Sequence, residues 1–227
     1  MSKAKAVCDR VWAVGGPGLS APEDCCVYLV DAGSELVQID AGVGYSLDMI
    51  EGNIRSLGFE PASVWHAVAT HCHIDHIGGL AALKVRYGTK IIAHELDRAG
   101  IEGENDVLTA AGMYGVDYRP VKVDVLLKGE AERLRLGDLD FEFLHTPGHT
   151  PGSIAAVIET ADGKVVFGQD IHGPFSPSWG SDLAAWRRSM KKLLDLRADV
   201  LCEGHAGVYR GEKIARYIEA YLKRFNG

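Results

Sequence analysis

The chain alternates between two kinds of apolar spacing. Residues 25–30 and 35–40 are short apolar runs on either side of an Ala-Gly-Ser turn, and they predict two paired strands. Leu47, Ile50, Ile54 and Leu57 then recur at helical spacing, with Gly58 and Pro61 predicting the end of that helix. Residues 67–70 form a buried-strand run, followed directly by a polar, histidine-rich turn. Gly78-Gly79 opens a helix through Tyr87, and residues 90–93 return to strand. Residues 94–119 carry short helical pieces and scattered glycines. Strand signals resume at 121–127, 132–136, 139–145, 154–159 and 164–168, with Asp162-Gly163 as a hairpin turn between the last two. Two amphipathic helices close the chain. One is written on Leu183, Trp186, Met190, Leu193 and Leu194, the other on Ile214, Tyr217, Ile218, Tyr221, Leu222 and Phe225.

Strands dominate in two batches, and each batch is followed by helices that need a sheet to cover. A two-sheet α+β sandwich with helices on its outer faces satisfies that pattern. The βαβ alternation is too sparse for a doubly wound sheet, and no G-x-G-x-x-G occurs to hold a dinucleotide. No repeat, low-complexity tract or linker-like shift divides the chain, so one domain over 1–227 is expected.

Composition narrows the partners more than the fold. The 227 residues are 47% hydrophobic and 24% charged, which suits a soluble protein with a sizeable core. The formal charge is −7, from 31 acids against 24 bases, and disfavours a nucleic-acid surface. The densest basic stretch, Arg187, Arg188, Lys191, Lys192 and Arg197, lies on an amphipathic pattern and reads as a solvated helix face. No apolar run approaches the ~18 residues of a membrane span. The first ten residues lack the apolar core of a signal peptide. A cytoplasmic protein acting on a small molecule, away from membranes, is the expectation; a homo-oligomer is compatible with it. Cys8, Cys25, Cys26, Cys72 and Cys202 are odd in number and contain no C-x-x-C, so they read as reduced thiols.

The chemistry concentrates in His71-Cys72-His73-Ile74-Asp75-His76, directly after a buried strand. Three histidines packed there without a cation repel when protonated and leave ring nitrogens unpaired when buried. A divalent metal removes both problems, since neutral imidazole and carboxylate are its ligands. In an extended turn His71 and His73 face one side and Cys72 the other, so Cys72 reads as packing. His149 stands in Thr146-Pro-Gly-His-Thr-Pro-Gly152, a turn stiffened by two Pro-Gly pairs. Asp170 and His205 each follow the end of a further strand. Four strand ends thus offer ligand-type side chains, and loops of a sandwich gather at its rims.

With Asp40-Ala-Gly42, the hexad at 71–76, Gly148-His149, Asp170 and Gly204-His205 in this order, the sequence resembles the metallo-β-lactamase superfamily of hydrolases. The resemblance spans nearly the whole chain. It implies a four-layer αββα sandwich with a two-metal site at one edge of the sheets. Carried over residue by residue, it implies that His71, His73 and His149 hold one metal, that Asp75, His76 and His205 hold a second, and that Asp170 bridges them. Asp40 resembles the early aspartate that supports the site from behind. None of the seven ligand positions is substituted. The implied cofactors are two divalent ions, zinc first, with iron or manganese served by similar ligands.

Such a centre suits hydrolysis. Two zinc ions, two aspartates and a hydroxide leave a charge of about +1 to meet a developing oxyanion, and metal binding brings the pKa of water towards ~7. Asp75 is the candidate for orienting the nucleophile. His172, two residues past Asp170, is the candidate hydrogen-bond donor to substrate. Residues 94–119 and 171–180 are candidate pocket walls, where Phe175 and Trp179 either face substrate or pack.

Among relatives of this type, glyoxalase-II-like thioesterases carry a longer C-terminal region, whereas 22 residues follow His205 here. Secreted β-lactamases carry a signal peptide, and the RNA-processing nucleases add basic elements. The leading expectation is hydrolysis of a small carboxylic ester, thioester or lactone. The alternatives are a mononuclear iron persulfide dioxygenase, a phosphoesterase or β-lactamase-like activity on the same site, and a binding protein on a hydrolase scaffold. The flavin-linked diiron relatives need an attached flavin domain and usually a glutamate where His73 stands.

Overall fold

The computed structural model describes residues 4–168 and 170–225. Its strands are β1 (Lys5–Cys8), β2 (Val11–Ala13), β3 (Tyr28–Asp31), β4 (Leu36–Ile39), β5 (Val64–Val68), β6 (Lys90–His94), β7 (Val125–Leu127), β8 (Ala131–Leu136), β9 (Leu139–His145), β10 (Ile154–Thr160), β11 (Gly163–Phe167), β12 (Val200–Glu203) and β13 (Gly207–Arg210). Its helices are α1 (Leu47–Ser56), α2 (Ile74–Ile77), α3 (Leu80–Tyr87), α4 (Arg98–Ile101), α5 (Ala111–Tyr114), α6 (Leu183–Asp195) and α7 (Glu212–Arg224).

Strands β1 to β7 form one sheet in chain order, and β13-β12-β11-β10-β9-β8 form the other. The first sheet is antiparallel from β1 to β4 and parallel from β4 to β7, where α1 and α3 serve as crossovers. In the second, only β11 and β12 run parallel. Strand alternation separates each sheet into two apolar faces. Val30, Val37, Ile39 and Val68 meet Phe141, Phe143, Ile154 and Phe167 in the cluster between the sheets. On the outer side of the first sheet, Leu29 and Leu36 pack on Ile50 and Ile54 of α1, and Ala67 and Ile91 on Leu80 and Leu83 of α3. Ala155, Val157 and Leu201 of the second sheet are covered by Trp186 and Met190 of α6 and Ile218 of α7. The result is the expected αββα sandwich. Each Leu, Ile or Phe buried in these layers contributes about 1.5–3 kcal/mol.

Several elements differ from the sequence reading. β1, β2 and β13 are three or four residues long, too short for a period, and the β1–β2 turn runs through Arg10 at φ 61 rather than through a glycine. The run at 121–127 pairs with β6 only over Val125–Leu127, because the amide of Val121 donates to Ile101 O and that of Val123 to Glu102. The strand expected at 25–30 begins at Tyr28. The amides of Cys25 and Cys26 instead donate to the carbonyls of Asp75 and Gly204, tying this segment to the rim. The histidine-rich turn contains a single turn of helix, α2.

The residues after β4, β5, β9, β11 and β12 meet at one rim, and these are the segments that carry the candidate ligands. Arg188 and Lys191 lie on the exposed side of α6. All five cysteines are unpaired. Among the described residues no helix is long and apolar enough to cross a membrane.

Candidate metal centre

The centre is assembled from one local segment and four distant ones. After β5 the chain bends through Thr70 to Cys72, and His71 and His73 come to the rim with their rings 4.7 Å apart. The buried thiol of Cys72 points away, donating to Leu108 O at 3.3 Å. His73 then starts α2, its carbonyl accepting the amides of His76 and Ile77 at 3.0 and 3.1 Å. That turn delivers Asp75 and His76 to the same rim.

Asp40 ends β4 with φ 60, a left-handed conformation that costs a non-glycine residue free energy and that aspartate tolerates better than most. Its carboxylate accepts the Thr70 amide at 2.8 Å, the Thr70 hydroxyl at 2.8 Å and His76 Nδ1 at 2.8 Å. His76 is thereby fixed with Nε2 towards the centre. Gly148, at φ 139, lets the 146–152 loop pass Trp186, where an added Cβ would sit 2.3 Å from the Trp186 Cα. The following His149 brings Nε2 to 2.9 Å from His73 Nδ1.

Asp170 stands between the two halves. Its Oδ1 is 3.2 Å from His76 Nε2, and its Oδ2 is 3.2 Å from His205 Nε2 and 3.5 Å from His149 Nε2. His205 Nε2 is also 3.1 Å from Asp75 Oδ2. Ligand atoms of His71, His73 and His149 lie within 4.8 Å of one another, as do those of Asp75, His76 and His205, and those of His71, His76 and Asp170. All seven expected residues lie at this rim, and the triads that the resemblance implies are two of the four overlapping groupings among the described residues. Cys25 approaches Asp40 and His76 as well, but burial holds its thiol well above the usual range, so it stays protonated.

The cluster fits a cation. His71 Nε2 and His73 Nε2 are buried without a hydrogen-bond partner among the described residues, a costly state that a metal relieves. Burial, then crowding by neighbouring histidines, holds His71 well below its ordinary pKa. Burial and His149 push His73 down to about 3, and burial pushes His149 down to about 4 against the pull of Asp170. These rings are neutral, as ligands must be. The other half is ionic. Burial opposes charge on His205, yet Asp170 and Asp75 push it up to about 10. Burial likewise opposes charge on His76, but Cys25, Asp40, Asp170 and Asp75 hold its pKa well above ordinary. In return His76 and His205 hold Asp170 well below the usual carboxylate range in spite of its burial.

Three contributors were not legible in the sequence. Asp97, fully buried after β6, accepts the amide of Cys72 at 2.9 Å, the Thr150 hydroxyl at 2.7 Å and the Gly152 amide at 2.6 Å, bracing both histidine loops. Glu203 accepts the amides of Ile171, His205 and Ala206 at 3.0, 2.7 and 2.6 Å and bonds His172 Nδ1 at 3.1 Å. Tyr114 of α5 lines the same cavity as Asp75, and burial, then the charge of Asp75, raises its pKa. The only hints available were one of six acids in an irregular segment and a glutamate two residues before a histidine.

A cavity of about 200 Å³ opens onto Asp75, Asp170 and His205, walled by Tyr114, His172 and Trp179. Trp179, left open between packing and substrate, lines this cavity with its ring 4.9 Å from that of His73. Phe175 packs on Trp186 and Phe225 and lines a neighbouring cavity.

The chain matches the model of the metallo-beta-lactamase superfamily over residues 21–205. It is 28% identical over 145 residues to a probable metallo-hydrolase, YqgX, of Bacillus subtilis (strain 168), covering 62% of this chain and 64% of that protein. It is 35% identical over 104 residues to hydroxyacylglutathione hydrolase GloC of Haemophilus influenzae, covering 45% of this chain and 47% of the relative. The chain thus spans less than two thirds of the length of these curated relatives. Among solved structures, BJP-1, a subclass B3 metallo-beta-lactamase of Bradyrhizobium japonicum, superposes with a TM-score of 0.83 at 25% identity, over 99% of this chain and 92% of that one. With the αββα sandwich, the rim cluster and a family match over most of its length, the chain belongs to the metallo-beta-lactamase superfamily.

Proposed function

We propose that the chain is a metal-dependent hydrolase of small carboxylic esters, thioesters or lactones. The observation that carries this reading is the meeting of seven ligand-type side chains beside one small cavity whose described lining holds no lysine or arginine. In this reading His71, His73 and His149 hold one divalent ion, Asp75, His76 and His205 a second, and Asp170 stands between them. Zinc suits such a nitrogen and oxygen set. Bound there, the ions supply polarisation of a carbonyl oxygen and a water acidified to a pKa of ~7.

The chain's own residues do the rest. Asp75, in the cavity lining, would accept a hydrogen bond from the attacking water and so orient it. His172 has Nδ1 committed to the Glu203 carboxylate, which leaves Nε2 as the ring atom for substrate, an acceptor in the neutral ring and a donor to a carbonyl oxygen only in the imidazolium form. Tyr114 and Trp179 wall the site and limit its water. A phosphoryl group brings charge that arginine or lysine ordinarily answers, and this lining offers neither. The name of one relative, hydroxyacylglutathione hydrolase, points to the same acyl chemistry.

The test is elemental analysis followed by a substrate panel. The expected result is about two divalent ions per chain, with turnover of carbonyl substrates that stops on chelation and returns with metal. About one iron per chain, with oxygen uptake on a persulfide and no ester turnover, would make the protein a dioxygenase instead. Metal without turnover of any substrate would make it a binding protein.

A further inference from the structure

The outer lip of the cavity is built from residues 106–114. Asp106–Thr109 make one 3-10 turn, and Ala110 then takes φ 55 before α5. The left-handed region costs an alanine about 1–2 kcal/mol, and residues held there gather at ligand clamps. This bend carries Met113 and Tyr114 to the wall of the cavity that holds Asp75 and Asp170.

A second cavity, about 380 Å³, adjoins the first, with Ala110, Met113 and Trp179 lining both. Val107 and Ala111 add to an almost wholly apolar wall, and Asp106 is its one charged member. Met113 is 68% exposed and Val107 59% exposed. Single exposed apolar residues are ordinary, but an apolar groove adjoining a catalytic cavity marks a place where apolar surface is covered during function. The cavity reached past His172 differs, since Tyr221 and Arg224 line it and the guanidinium lies 6.0 Å from the Tyr221 ring centroid.

We propose, resting on the hydrolase reading above, that the Val107–Met113–Trp179 groove binds the acyl arm of the substrate. The occupant is an unbranched aliphatic chain, uncharged at its far end, with the polar leaving-group arm lying towards His172 and Arg224. The three shared residues set this groove beside the catalytic cavity, within reach of a chain attached to the reacting carbonyl. Asp106 repels an acyl chain that ends in a carboxylate.

The experiment uses the metal-loaded protein and a series of thioesters with one constant thiol and acyl chains of about two to ten carbons. The expected result is a rise in kcat/KM of about fourfold per methylene until the groove is filled, the factor equivalent to ~0.8 kcal/mol per buried CH₂. Val107→Asp and Met113→Asp flatten that slope. A chain capped by a carboxylate is about tenfold poorer than its methyl-ended counterpart in wild type. Octanoate alone perturbs tryptophan fluorescence, and Trp179→Phe removes the signal. A flat slope in an enzyme that turns over the acetyl thioester overturns the inference and leaves the hydrolase reading standing. So does a slope that both variants preserve, a slope that follows the thiol arm, or a dimer in sedimentation that Met113→Asp dissolves. No turnover at any chain length overturns the hydrolase reading itself.

Discussion

The carboxylate of Asp97 accepts the backbone amide of Cys72 at 2.9 Å, midway between His71 and His73, while the same side chain receives Thr150 and Gly152 from the loop of His149. One buried group therefore sets the spacing of three candidate ligands that come from two segments. Asp97→Ala leaves the buried amides of Cys72 and Gly152 unpaired, each at about 1–3 kcal/mol, and is expected to lower stability by a few kcal/mol in denaturant melts. Asp97→Asn keeps the shape but turns one acceptor into a donor. It is expected to stay folded and to weaken metal binding by about 10- to 100-fold in chelator competition. Unchanged affinity in the folded Asn variant would limit Asp97 to a packing role.

Gly204 is a second constraint on the centre. A Cβ built there lies 2.1 Å from Asp170 Oδ1 and 3.2 Å from His76 Cε1. Gly204→Ala is expected to displace Asp170 and cost the protein about one of two metal equivalents while the far-ultraviolet spectrum stays native. Gly52→Ala, whose Cβ meets nothing within 4 Å, is the control and keeps full metal content.

Metal uptake should be proton-linked in one half of the site only. His73 and His149, at about 3 and about 4, and His71, also held low, carry no proton at neutral pH. His205, at about 10, and His76, also raised, carry protons that a metal must displace. Titration calorimetry in buffers of different ionisation enthalpy is expected to find one site that releases almost no protons and one that releases about two. The affinity of the second rises with pH from neutrality towards about 10, where His205 loses its proton unaided. Equal proton release at both sites would contradict the division into two triads.

Acid stability should depend on His94. Its ring stacks on that of His145 at 4.1 Å and 4°, and burial together with His145 lowers its pKa. A depressed histidine binds its proton more readily in the unfolded chain, whose value is ~6.5. Stability is therefore retained above ~6.5 and is lost as pH falls below it. Melting temperatures at about pH 7.5 and about pH 5 are expected to differ less in His94→Asn than in wild type. An equal loss in both would assign the acid sensitivity to other groups.

The sequence alone determined what is local. His71, His73, Asp75 and His76 lie within six residues, so a bend running into one turn of helix keeps them close together. The apolar stripes of α1, α6 and α7 fixed which helix faces are buried, because an amphipathic period needs a sheet to cover. Tertiary structure decided what is distant. Asp97 reaches Gly152 across 55 residues, and Glu203 reaches His172 across 31, through contacts that exist only once the two sheets have stacked and their loops share a rim. It also decided that Cys25 and Cys26 leave the β3 ladder to bond Asp75 and Gly204, and that Val121 and Val123 turn to α4 instead of β6. A backbone amide can satisfy itself on any nearby carbonyl or carboxylate, and which one is nearby is a property of the folded chain.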